Sequence, residues 1–211
     1  MEGQGMSEIV MGGGSLPGFN AETLRGMFAF RHHVFFNKLG WDVATQDDLE
    51  FDLFDTMNPV YMLARRNRDE IEGCWRLMPT TDAYMLKDTF PQLLQGDPAP
   101  CNPHIWELSR FAVDAGDQAG AVQAPLNNIA MDMMRKLYDF AVENQVEQFV
   151  TVTSVALERL LKRTGMPIRR MGDGRAQKIG RVLTVACWVD INQQLADAVY
   201  PPESQIVHKA A

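Results

Sequence analysis

The stretch that most restricts this chain is HIWELSRFAV, residues 104–113. Its Ile105, Trp106, Leu108, Phe111 and Val113 suit an interior strand, yet Glu107 and Arg110 lie among them. Taking an unpaired carboxylate or guanidinium out of water costs several kcal/mol. A fold that buries this strand must therefore supply partners for both groups, through ion pairs or through a polar ligand. Strand geometry adds a second restriction, because residues three apart in a regular strand point to opposite faces. Glu107 and Arg110 can share a pocket only across a bulge or a strand end, and a local distortion is expected here.

The segments around it supply what such a strand packs against. From Asn20, NAETLRGMFAFRHHVFFNKLG carries Leu24, Met27, Phe28, Val34 and Phe35 at three- and four-residue steps, the spacing of an amphipathic helix. Asn20 can act as its N-cap, and Gly40 lies near its end. Arg31 falls on the same apolar stripe, three after Phe28 and four before Phe35. Facing inward, it needs a charged ligand or partner.

PVYMLARRN (59–67) and IEGCWRLMP (71–79) read as strands around a turn at NRDE. Residues 80–100 form a long excursion with a short helical centre and proline-rich flanks. AGDQAGA reads as a loop, and residues 125–144 as a helix through Leu126, Ile129, Met133, Leu137 and Phe140. VEQFVTVTS alternates as a strand, VALERLLKRTG is a short helix closed by Gly165, MPIRRMG is extended, and RVLTVACWVDI completes the sheet. No period of about 20–50 residues repeats. This order, without an internal linker, predicts one α/β domain over residues 20–211: a three-layer α-β-α sandwich with a mixed central sheet. The glycines of residues 1–19 predict a flexible lead-in.

Composition excludes several classes. A net charge of −7 argues against general nucleic-acid binding. Cys74, Cys101 and Cys187 are odd in number and far apart, which fits a reducing compartment better than a disulfide scaffold. No apolar run approaches the roughly 20 residues that span a bilayer. The N-terminus lacks the basic and apolar regions of a secretory signal, and its GGGS lacks the GK[ST] of a phosphate loop. A cytoplasmic protein is expected. His32 and His33 diverge on a helix, while His104 and His208 stand alone, so no metal site is expected.

Four short stretches, RHHVFFNKLGW, EFDLFD, CWRL and WELSRF, carry polar groups in apolar surroundings: Arg31, Trp41, Asp52, Asp55, Arg76, Glu107 and Arg110. Any one alone reads as half of a structural ion pair. Together they suit a zwitterionic or cationic small molecule: carboxylates hold an ammonium or sulfonium, Arg grips a carboxylate bidentately, and aromatic faces cover a cation.

The element order resembles the acyltransferase sandwich of the GNAT type. A literal match to its [RQ]xxGx[GA] loop exists at Arg169–Gly174, but too few residues follow Gly174 to open a long helix, so it reads as a turn. More specifically, the spacing R-x3-F-x5-W, then D-x2-D, then Arg after CW, then E-x2-R resembles the LuxI-type acyl-homoserine lactone synthases. The pattern falls on Arg31, Phe35, Trp41, Asp52, Asp55, Arg76, Glu107 and Arg110. It runs from about residue 20 to about residue 190 and is sharpest from Cys74 to Val113, where it is similar to the long-chain, LasI-like branch.

That resemblance implies a reaction: acyl transfer from acyl-acyl carrier protein to the amine of S-adenosylmethionine, then lactone closure with release of 5′-methylthioadenosine. It implies S-adenosylmethionine as a substrate and no cofactor or metal. It places Glu107 and Arg110 as catalytic, with Glu107 the base. Arg31, Phe35, Trp41, Asp52, Asp55 and Arg76 would bind S-adenosylmethionine, and Thr151 and Thr153 would meet the acyl chain, Thr153 bonding a 3-oxo group. Arg159, Lys162 and Arg163 on one helix would dock the acidic carrier, extended by Arg169, Arg170, Lys178 and Arg181. Two other readings compete: a GNAT-type N-acyltransferase using acyl-CoA and another amine, and a non-catalytic S-adenosylmethionine sensor.

Overall fold

The computed structural model describes residues 7–66, 70–114 and 127–201. The strands are β1 (Glu8–Gly13), β2 (Thr45–Gln46), β3 (Leu49–Glu50), β4 (Val60–Arg66), β5 (Glu70–Pro79), β6 (Ile105–Val113), β7 (Gln148–Ser154), β8 (Ile168–Arg170), β9 (Gln177–Ile179) and β10 (Val182–Asp190). The α-helices are α1 (Ala21–Arg31), α2 (Met85–Asp88), α3 (Asn128–Glu143), α4 (Val155–Arg163) and α5 (Gln193–Val199). One sheet runs β1-β4-β5-β6-β7-β10-β8, with β9 also on β10. All its pairs are antiparallel except β6–β7. It is thus a mixed sheet, as expected.

Alternation along the strands assigns the layers. Tyr61, Leu63, Cys74 and Ala112 pack with Met27 and Phe35 under α1, and Val150 and Ala186 pack with Tyr84, Leu86, Leu93 and Leu94 of the excursion. Met62, Trp75, Leu77, Leu108, Phe149, Val185 and Cys187 point the other way, into a core with α3 residues Met133, Leu137 and Phe140 and with α5 residues Leu195 and Val199. Val155 at the start of α4 belongs to this second core.

Helix ends follow the sequence. Asn20 accepts from the Thr23 amide at 2.8 Å and caps α1. The helix then widens into a π-helical stretch, His32–Lys38, before Gly40 turns at φ +61°. Ser154 caps α4 by accepting from Leu157 N, and Gly165 ends it at φ +89°. Of residues 169–174, the first two end β8 and the rest make the expected turn, closed by Gly174 N donating to Met171 O at 3.1 Å.

One expectation is corrected. Residues 8–13 of the presumed lead-in form β1, the sheet edge, with Glu8 opposite Arg65 and Gly13 opposite Val60. Ile9 and Met11 pack on one core and Val10 on another. The glycines serve close approach, since a Cβ on Gly13 would lie 2.3 Å from Pro59 O. The elements β2, β3, β9 and α5 lay below what periodicity reveals. The NRDE turn, the AGDQAGA loop and Leu126 fall wholly or mostly outside the described residues.

Candidate active site

The distortion required by Glu107 and Arg110 is present in β6. Cys74 pairs with Ala112 and Arg76 with Ser109, so Trp75 alone faces two residues, Arg110 and Phe111. Arg110 takes the extra place, at φ +58°, a left-handed conformation uncommon for a side chain of this size. The bulge resets the alternation. Glu107 lies opposite Met78 and Ser109 opposite Arg76 on the α1 face, and Arg110 returns to that same face.

There it joins a charge-balanced cluster. Arg31 Nε donates to Glu50 at 2.5 Å, and its terminal nitrogens hold both oxygens of Asp55 at 2.8 and 3.0 Å. Arg76 grips Asp52 at 2.6 and 3.1 Å and reaches Asp55 at 2.9 Å, and its Nε donates to Ser109 Oγ. Arg110 bonds Glu50 at 3.0 Å and Asp52 at 2.7 Å. Tyr61 donates to Asp55 at 2.6 Å. Three guanidiniums thus meet three carboxylates. Burial alone would raise the Asp55 carboxyl, but Arg31 and Arg76 hold it well below the usual range. Burial would likewise lower the Arg31 guanidinium, and Asp55 and Glu50 push it up instead.

Local structure delivers these groups. Asp47 and Asp48, both at positive φ, turn the β2–β3 hairpin that presents Glu50. Asp52 and Asp55 form a reciprocal capping box on the 3-10 turn Leu53–Thr56. The π-helical stretch carries Phe35, which stacks on Trp41 with ring centroids 5.1 Å apart, and the Arg110 guanidinium lies 5.8 Å from the Phe35 ring centre. Arg31 and Arg76 are sealed in, whereas the Asp52 and Arg110 side chains keep 15% and 11% of their surface open. Trp41 is exposed beside them. These three form the accessible rim.

Glu107 stands apart from the cluster. It is buried, and its two oxygens accept from the backbone amides of Met85 and Leu86 at 3.0 and 2.6 Å, at the start of α2. Burial pushes its carboxyl up to about 7, against the lowering effect of those amides and of Arg76 and Arg110. Met85 connects the two parts, since Arg110 also donates to its Sδ.

Beside the cluster the sheet opens. β6 and β7 pair in parallel only from Ile105/Gln148 to Leu108/Thr151. Beyond this β6 follows β5, β7 follows β10, and the strands separate at the bulge. Thr151 donates its hydroxyl to Leu108 O at 2.9 Å. Thr153 lies past the last β6 pair, opposite Val185 and half-buried. The threonines share the face of Phe149, opposite to the charged cluster.

On α4, Arg159, Lys162 and Arg163 are all exposed. Lys162 is bound to Glu158, as is Arg170 of β8, and Arg169 pairs with Asp190.

Arg31, Asp52, Asp55, Arg76 and Arg110 therefore converge directly, with Phe35 and Trp41 against them, while the threonines and the α4 cations lie elsewhere. Glu50 and Tyr61 are the members missed from the sequence. Charge counting did not mark the first, because Asp52, Asp55 and Glu107 already match the three arginines in number, and only the folded chain shows Glu107 satisfied by amides. Among the described residues, no group of His, Cys, Asp and Glu is arranged to hold a metal ion, and no helix is long and apolar enough to cross a membrane.

Known proteins share both the sequence and the fold of this chain. The sequence model of the autoinducer synthase family matches residues 19–198. An acyl-homoserine-lactone synthase of Aliivibrio fischeri is 41% identical over 182 residues, covering 86% of this chain and 93% of its own. One from Pseudomonas aeruginosa is 40% identical, with 86% and 89% covered. The crystal structure of the synthase LasI superposes with a TM-score of 0.80 at 38% identity, over 92% of this chain and 95% of its own. TofI, solved with an inhibitor and MTA, gives 0.75 at 31% over 94% and 98%. BjaI, a CoA-dependent synthase solved with SAM and isopentyl-CoA, gives 0.73 at 26% over 84% and 80%. A GNAT acetyltransferase from Staphylococcus aureus, at 13% identity and 0.54, shares the fold.

Proposed function

The chain belongs to the autoinducer synthase family and is an acyl-homoserine-lactone synthase, and from that premise we propose that it joins a fatty acyl group carried by acyl carrier protein to S-adenosylmethionine. The observation that carries this reading is the balanced cluster at the parting of β6 and β7, open at Asp52, Arg110 and Trp41. S-adenosylmethionine bears a carboxylate, an ammonium and a sulfonium. The rim offers a guanidinium, a carboxylate and an aromatic face for these groups. The bound MTA of TofI and the bound SAM of BjaI favour the same substrate and product here.

In the first step the amine attacks the thioester carbonyl, an amide bond forms, and the carrier thiol leaves. Glu107 takes the amine proton, directly or through water. Its carboxyl near 7 suits proton transfer close to neutrality. Backbone N–H groups at the β6 bulge are the donors for the thioester oxyanion. In the second step the carboxylate attacks the carbon bearing sulfur, the C–S bond breaks, and 5′-methylthioadenosine departs as a neutral thioether. Positioning suffices for this step.

A second reading, acyl-CoA as donor, is favoured by the CoA-dependent relative BjaI. The exposed Arg159 and Arg163 of α4 support the acidic carrier, because in an acidic protein a local basic cluster is what steers an acidic partner. Purified protein with S-adenosylmethionine and one acyl group, presented on carrier protein or on CoA, separates the two. Mass spectrometry should detect the lactone with the carrier at lower donor concentration than with CoA. Faster turnover of acyl-CoA would refute the carrier reading, and an absence of lactone with either donor would refute the reaction.

A further inference from the structure

Glu158 is a buried carboxylate that the reaction above leaves without a role. It lies in the first turn of α4 with its side chain 1% exposed. One oxygen accepts from Lys162 Nζ at 2.7 Å and from Arg170 Nε at 2.9 Å, and the other from Arg170 Nη2 at 2.7 Å. The remaining Arg170 terminal nitrogen donates to Gly174 O at 2.8 Å. Glu158 thus ties α4, through Arg170, to β8 and to the turn that leads into β9. Hydrogen bonds to Arg170, and burial working against them, leave the carboxyl below its usual range.

The strand register shows what this tie aligns. Arg170 lies opposite Cys187 and Lys178 lies opposite Leu183. Leu183, Val185 and Cys187 alternate onto one sheet face, the face that carries Val155 of α4. Lys178 is therefore on the same side of the sheet as Arg159 and Arg163. The cations of this surface divide into two kinds. Lys162 and Arg170 are held by the buried Glu158 carboxylate, whereas Arg159, Arg163 and Lys178, exposed like Lys162, are not and face solvent from two separate elements.

We propose that Glu158 is a positioning residue for carrier docking: it fixes α4 against the β8–β9 turn so that Arg159 and Arg163 on one element and Lys178 on the other meet the same acidic partner. This rests on the carrier reading above. Two cation-bearing elements held in register lose less freedom on binding than two that must be ordered by the partner.

Substitution gives opposite signs for the two ways of thinking about such a surface. Glu158→Gln removes a negative charge beside five cations, so charge counting alone predicts tighter carrier binding and a lower KM. Positioning predicts the reverse, a KM for acyl-acyl carrier protein raised about three- to tenfold. Turnover of a small acyl thioester, which has no carrier to dock, should stay within about twofold of wild type. Glu158→Asp keeps the charge but is one methylene shorter. It should also raise the carrier KM, and it keeps the test alive if the glutamine variant fails to fold.

A carrier KM that falls or stays unchanged in both variants overturns the inference, as does an equal loss with the small thioester, which would mark Glu158 as purely structural. The double variant Arg159→Glu/Arg163→Glu separates this from the underlying reading. If that variant raises the carrier KM while Glu158→Gln does not, only the role of Glu158 falls. If the double variant leaves the carrier KM unchanged at low and moderate salt, the carrier docks elsewhere and both fall.

Discussion

Replacing Glu107 by glutamine tests stability and chemistry with one substitution. The carboxyl is buried and raised from 4.5 to about 7. The folded chain therefore binds a proton that the unfolded chain has already released between those two pH values. Stability from this group is fully present below the unfolded pKa and is lost as pH rises through the folded one. At 1.36 kcal/mol per pKa unit the whole effect is about 3.4 kcal/mol, of which about 2.5 kcal/mol falls between pH 5 and pH 8. Glutamine cannot ionise, so the variant should lack this slope. It offers one acceptor to two amides, Met85 N and Leu86 N: at pH 8 it loses one bond to a charged acceptor, worth about 1.5–3 kcal/mol, and at pH 5, where the folded carboxyl is protonated, one to a neutral acceptor, worth about 0.5–1.5 kcal/mol. At pH 8 that loss roughly offsets the relief of not burying a charge, whereas at pH 5 the loss dominates. Urea unfolding of both proteins from pH 5 to pH 8 measures the difference in slope, which cancels every other titrating group. Parallel curves would refute the reasoning. At saturating substrates the same variant should turn over about 10²–10⁴ times more slowly if Glu107 is the base, and near-normal turnover would remove it from the mechanism.

Asp52→Asn should weaken S-adenosylmethionine binding while changing the melting temperature little, since Arg76 keeps Asp55 and Arg110 keeps Glu50. Calorimetric titration beside melting curves checks this, and the reverse pattern would make Asp52 structural. Glu50→Gln should destabilise by about 3 kcal/mol in urea, because it leaves a buried guanidinium pair short of a counter-charge; a loss under about 1 kcal/mol would mean that Asp52 and Asp55 suffice. Thr153→Val should reduce use of 3-oxo acyl donors, at a cost of about 0.5–1.5 kcal/mol, and spare unsubstituted chains of equal length. Equal loss with both donors, measured as kcat/KM, would make it a packing residue.

The elements with strong periodicity were legible. The helix from Asn20, β4 to β7 and β10 were visible because a face buried against one layer imposes a period of 3.6 or 2 on the sequence. β2, β3 and β9 were not, because two or three residues cannot display a period. β1 was hidden differently: its glycines, which read as looseness, are there because Pro17 and Pro59 approach the backbone closely. Five of the charged residues were brought to one cluster as expected, but their first partners are one another. The sequence could show that Arg31, Arg76 and Arg110 need anions and could not apportion them, since Glu50, Asp52 and Asp55 sit within six residues and each could serve any of the three. The position of Glu107 depends on the excursion folding back over β6 to present two amides, a tertiary event with no local signature.

The separation of β6 from β7 turns the sheet into a partition with a slot. The charged cluster is on the α1 side. Thr153, α4 and Lys178 are on the other. A molecule that touches both sets can reach from one to the other through the slot, which begins where the extra residue at position 110 takes β6 away from β7. Removing that residue would restore a regular strand, relieve a strained backbone of about 1 kcal/mol or more, and allow the β6–β7 ladder to continue. The sheet would close. The parting of β6 from β7 thus coincides with one extra residue in β6.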